Sequence, residues 1–151
     1  MRVIVLAFLK QVRIWFIFCL LICGGATGTI WFFWIRNKRV SMSFDNPLMG
    51  IAAPVVLALA ILFCSHYFFN KGLKIARREG RLHARLQRYR SQLLLRWLLQ
   101  AAAVMAALFM VIFTRNIAPF FLAVALNFYL LMTFPSKSQT YQHLDLESLK
   151  E

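Results

Sequence analysis

Between Arg13 and Arg36 the chain runs for twenty-two residues, from Ile14 to Ile35, without one charged side chain. At a rise of about 1.5 Å per residue, a helix over such a run is about 30 Å long, the thickness of a bilayer's hydrocarbon core. Three further apolar runs follow, over 48–69, 92–113 and 117–134. A helix that is apolar all round must be covered by protein or by lipid, and 151 residues are too few to cover several of them. Composition agrees: 61% of the residues are hydrophobic and 15% charged, whereas soluble domains are about 45–50% apolar. The expected fold is an all-α membrane protein, one domain over 1–151, in which a bundle of four transmembrane helices carries a basic segment at 70–91 and a polar tail at 135–151.

Local signals set the ends of these spans. Trp15 and the Trp31/Trp34 pair bracket the first run as an interfacial aromatic belt does. Asn46 before Pro47 reads as a helix cap and a first-turn proline ahead of the second span. Pro54 then falls inside it, so a kink is expected near 50 to 54. Thr114-Arg115-Asn116 is too short for anything but a turn between antiparallel neighbours. Pro119 belongs in the first turn of the fourth span, and Pro135 stops it. The N-terminus resembles a signal peptide as far as Gly24-Gly25-Ala26, but the apolar run continues through Trp34-Ile35, and Ile22 before Cys23 is too large for a lipoprotein signal. The first segment is expected to be a retained span.

The net charge of +13 at first suggests nucleic acid, yet the Lys and Arg residues flank apolar runs, which is where membrane topology puts them. No nucleic-acid partner is expected. With four spans, thirteen basic residues fall on the side of the N-terminus, the 70–91 segment and the tail, against four on the other side; Arg96 lies within the third span. That asymmetry predicts both termini and the basic segment in the cytoplasm. Within that segment Lys74, Arg78, Arg81, Arg85 and Arg88 recur at helical spacing beside an apolar stripe of Ile75, Leu82, Leu86 and Tyr89, with Gly80 as the break. Helices two and three are thus expected to extend into the cytoplasm as a hairpin. Lys71, Lys74, Arg77, Arg78, Arg81, Arg85 and Arg88 are the candidates for anionic lipid headgroups, at about 1 kcal/mol for each basic residue near the surface.

A polar side chain inside a span is where function is sought first, because burying it is costly. Arg96, Gln100 and Asn127 are the candidates. Their bland reading is a snorkelling arginine and two interhelical hydrogen bonds; the sharper one is a shared polar pocket. His66 sits near a span end, and His83 and His143 sit in polar segments. No pair has metal spacing, and no metal or cofactor is expected. Cys19, Cys23 and Cys64 lie in apolar runs and read as structural thiols. All five acidic residues, Asp45, Glu79, Asp145, Glu147 and Glu151, fall outside the spans, which weighs against proton-coupled transport. No catalytic constellation is visible. For helix packing, Gly24 and Gly28 form a G-x-x-x-G, and Ala102/Ala106 with Ala103/Ala107 form small-x-x-x-small pairs. Contacts within the chain are the favoured use of both.

The stretch from Tyr89 to Lys137 carries Tyr89-x-Ser91 leading to Arg96, Thr114-x-Asn116, Tyr129 and Pro135-Ser136-Lys137, followed by Leu144-Asp145-Leu146. In these features it resembles the C-terminal half of a family of small bacterial four-span inner-membrane proteins of unassigned function. The resemblance implies the same architecture and membrane. The family often carries an acid around positions 100 to 101, where this chain has Gln100 and Ala101, and an arginine where it has Phe134; a property resting on that acid would not carry over. The functional expectation is a non-enzymatic partner or structural subunit of a membrane assembly, bound to another membrane protein or to itself. The alternatives are a small oligomeric transporter or channel and, last, a four-span enzyme of glutathione-transferase type, whose glutamate, arginine and asparagine pattern in the second helix is not met by Asn70 alone.

Overall fold

Apolar periodicity organises the first helix from well before its uncharged run. In the computed structural model, which describes residues 2–37, 52–79 and 81–144, α1 spans Arg2–Ile30 and ends in a π-helical turn, Trp31–Ile35, closed by the Arg36 N–H on the Trp31 carbonyl at 2.9 Å. The helix thus begins twelve residues before Ile14, the expected start of the first span. Val5, Leu9, Val12 and Phe16 are all buried at spacings of four, three and four, which is one helix face. Lys10, exposed, and Arg13, half-buried, lie among them without interrupting it.

Helix α2 covers Ala53–Arg78, with Pro54 in its first turn, where the missing N–H costs nothing. The residues expected to cap and start this span, Asn46, Pro47 and Leu48, lie outside the described residues, as do Lys38, Arg39 and Gly80 and the acidic Asp45, Asp145, Glu147 and Glu151. Helix α3 covers Leu82–Thr114 and α4 Ala118–Met132. A short helix, α5, follows over Lys137–Leu144, where only a polar tail is expected from the sequence. No strand occurs among the described residues.

Helices α1, α2 and α3 are each long and apolar enough to cross a membrane. Helix α4 meets that test only together with α5, from which it bends by 74°; its 15 residues make about 22 Å of helix. The outer surface suits lipid. Phe63, Phe113 and Met132 are 74%, 79% and 80% exposed, the reverse of a soluble protein's surface.

Helix α3 is the axis, packed against α1, α2 and α4. Its buried residues, from Leu86 through Trp97 and Val104 to Val111, face all three. Helix α1 runs parallel to it: Gln11 meets Arg90, and Phe16 meets Trp97 edge-on at 5.1 Å. Helix α2 runs antiparallel, with Ser65 at Arg96 and Gly72 at Gln92. At Gly72 the two helices come so close that an added Cβ would collide with the Gln92 side chain, so only glycine fits the crossing as it stands.

The turn between α3 and α4 places Arg115 at φ 51°, the left-handed position that ends a helix. Buried Asn116 accepts the Ala118 N–H on Oδ1 at 2.9 Å, an Asx turn that starts α4. At the opposite end, Arg13 donates to the Pro135 carbonyl at 3.4 Å and stacks on Phe134. The N-terminal half of α1, the ends of α2 and α3 that face each other, and α5 therefore gather at one end of the molecule.

Candidate functional site at the basic end of the helices

The side chains gathered at that end come from four helices and centre on Tyr89. Leu86, Tyr89 and Leu93 lie on the buried face of α3, which brings the Tyr89 ring within 6.3 Å of Phe8 on α1 and of Phe69 on α2. Helix α5 closes the cluster. Its Thr140 and Leu144, four apart, are fully buried, and His143 beside them sets Nδ1 3.0 Å from the Tyr89 hydroxyl. The His143 ring also meets Phe69 edge-on at 5.6 Å. Arg77, from the last turn of α2, donates through Nε to the His143 carbonyl at 2.7 Å and through a terminal nitrogen to the Gln142 carbonyl at 3.4 Å. A cation there satisfies two carbonyls at the end of α5 and complements its dipole.

Arg96 borders the same cluster. It is half-buried, and its guanidinium stacks over Phe69 at 4.9 Å, a contact worth about 1 kcal/mol. Burial, followed by the Arg96 and Arg77 charges, holds His143 below its ordinary value. Burial pushes Tyr89 up, with the Thr140 hydroxyl and Arg96 opposing it. The tyrosine therefore keeps its proton and shares a hydrogen bond with Nδ1 of a neutral His143.

The three polar span residues have separate partners. Gln100, buried, accepts from the Thr133 hydroxyl at 3.4 Å. Asn127 donates to the Thr27 hydroxyl at 2.9 Å and to the Ala123 carbonyl at 3.0 Å. Thr133 lies six residues along α4 from Asn127, or about 9 Å, so Gln100 and Asn127 act at different depths. No hydrogen bond joins Arg96, Gln100 and Asn127 to one another among the described residues.

The basic residues of the 70–91 segment divide in two. Arg77 caps α5, Arg85 donates to the Glu79 carbonyl, Arg88 pairs with the Glu79 carboxylate at 2.9 Å, and Arg90 donates to Gln11 Oε1 at 3.2 Å. Lys71, Lys74, Arg78 and Arg81 are exposed and have no partner among the described residues.

No known protein family, curated protein or solved structure matches this chain.

The small-residue expectations need correction. Gly24 and Gly28 face outward with nothing within 4 Å of an added Cβ, so they make no close contact within the chain. Ala102 is exposed and Ala106 half-buried, while Ala103 and Ala107 are the buried pair. Among the thiols, Cys23 is buried, Cys19 is half-buried near the Trp97 carbonyl, and Cys64 is exposed rather than packed. His66 and His83 are exposed. No three His, Cys, Asp or Glu side chains come together among the described residues. In the sequence His143 stands out only as part of a polar segment, and Gly72 does not stand out at all. The pair Thr140/Leu144 at helical spacing was a faint signal for α5, and nothing marked Gly72 as a crossing point.

Proposed function

We propose that this protein is a non-enzymatic integral membrane protein that serves as a partner or structural subunit of a membrane assembly. The observation that carries this reading is the outward-facing pair Gly24 and Gly28, open to contact on the surface of α1. Such a G-x-x-x-G face lets a second helix approach closely. The polar span residues, by contrast, are engaged inside the chain: Gln100 with Thr133, Asn127 with Thr27, and Arg96 with Phe69. A transport path would need them free and aligned.

The architecture belongs to the same reading: four transmembrane helices in a bacterial inner membrane, both termini in the cytoplasm, and α2 with α3 projecting there as a hairpin. Charge asymmetry supports it, together with Arg13, Arg77 and α5 lying at the end where α2 and α3 turn. The resemblance to small bacterial four-span proteins points the same way. Lys71, Lys74, Arg78 and Arg81 then face the anionic inner leaflet.

Capture from native membranes in mild detergent, with Gly24→Leu and Gly28→Leu variants beside the parent, tests the function. The expected result is a specific membrane-protein partner, or a defined self-assembly, lost in both variants. Recovery of a monomer alone would end the proposal. For orientation, a cysteine placed at Gln87 should react with an impermeant maleimide in everted vesicles but not in spheroplasts; the opposite pattern inverts the topology.

A further inference from the structure

Between α1 and α3 lies an apolar groove of about 420 Å³. Trp15, Phe18 and Ile22 form one wall, Leu98 and Ala101 the other, and Arg90 stands at one end. We propose that this groove is a lipid site, in which one acyl chain of an anionic glycerophospholipid lies along α3 and the headgroup phosphate rests on Arg90.

Three observations select this occupant. The first is depth. Arg90 to Ala101 is eleven residues, about 16 Å of helix, and half of a hydrocarbon core of about 30 Å is one leaflet. Trp15 lies toward the Arg90 end, at the level where amphipathic rings prefer the interface.

The second is the charge pattern. The lining is apolar apart from the single guanidinium at the mouth. Arg90 is half-buried, and the neutral Gln11 Oε1 at 3.2 Å is its one hydrogen-bond partner among the described residues. A phosphate presents paired oxygens that a guanidinium fork matches.

The third is that no carboxylate among the described residues is free to pair with Arg90. Among the described residues Glu79 is the one carboxylate, and Arg88 already holds it at 2.9 Å. A second copy of a chain carrying a net charge of +13 would bring more cations to Arg90, whereas the inner leaflet brings phosphate.

The test is native mass spectrometry of delipidated protein given phosphatidylglycerol or phosphatidylcholine with identical acyl chains. One phosphatidylglycerol per chain should survive activation that strips phosphatidylcholine. Arg90→Gln should weaken that retention about tenfold, the loss of one charge-assisted contact, while Arg78→Gln on the exposed hairpin leaves it within about twofold. Leu98→Trp, which fills the groove from an exposed position, should displace the lipid even if Arg90→Gln fails to fold. Equal retention of phosphatidylcholine overturns the proposal, as does full retention in folded Arg90→Gln or in Leu98→Trp. Displacement by glycerol 3-phosphate would show a site for a free anion and overturn it too.

Discussion

The Tyr89 hydroxyl lies 3.0 Å from His143 Nδ1, and this one hydrogen bond joins the N-terminal part of α3, the longest described helix, to the short helix α5. It also makes α5 sensitive to proton concentration. The folded protein holds His143 below its ordinary value of 6.5, so the undocked helix takes up a proton first. The contribution of docking is complete above pH 6.5 and is lost as pH falls through the lowered value. The protection of amides over 137–144, measured as the intrinsic exchange rate at each pH divided by the observed rate, should therefore be higher at pH 7.5 than at pH 5. His143→Gln should flatten that dependence, and Tyr89→Phe should speed exchange at both pH values by removing a bond worth about 1 kcal/mol. A pH dependence unchanged in His143→Gln would refute this account.

Gly72 and Gln92 set how closely α2 and α3 approach. Gly72→Ala should lower thermal stability in detergent by about 1–3 kcal/mol, the usual range for overpacking, and Gln92→Ala should restore most of it by vacating the space. If the double variant is no more stable than Gly72→Ala alone, backbone rather than the Gln92 side chain limits the approach.

The bond from Asn127 to Thr27 ties α4 to α1 inside the apolar region. A double-mutant cycle with Asn127→Leu and Thr27→Val should give a coupling energy of about 0.6 kcal/mol, the mean for such bonds in membranes. A coupling several times larger would mark this pair as more than helix packing.

The α3–α4 turn invites two opposite changes. Arg115→Gly should stabilise by about 1 kcal/mol, because a side chain in the left-handed region carries that cost. Asn116→Ala should destabilise by about 1 kcal/mol through loss of the Asx bond to Ala118. Chemical denaturation of the two variants against the parent measures both.

How much of this was legible in the sequence follows from which physical signal each feature left. The apolar runs were plain because lipid imposes length and polarity at once, and Pro119 and the Thr114–Asn116 turn fell where local chemistry puts them. The extension of α1 back to Arg2 was missed because three basic residues masked the buried stripe of Val5, Leu9 and Val12. The polar residues were legible as a set but not by partner: nothing in the spacing of Gln100 and Asn127 says that one meets Thr133 and the other Thr27. Gly24 and Gly28 carry the same motif whether they face a neighbour or lipid, so sequence alone could not choose between them. His143 sits in a short polar stretch whose helix forms against Tyr89 and Phe69, tertiary contacts that leave little periodicity behind.

The docking of α5 also imposes an order on biogenesis. Translation delivers α1 to α4 before it delivers Thr140 and His143, so the cleft between α2 and α3 is made first and filled later. A chain arrested within α4 would have Tyr89 and Phe69 packed on each other without the His143 ring that covers both, and Arg77 would lack the carbonyls of Gln142 and His143. Coverage of that cleft therefore records synthesis through α5, and a chain arrested before it exposes a surface that the docked helix covers.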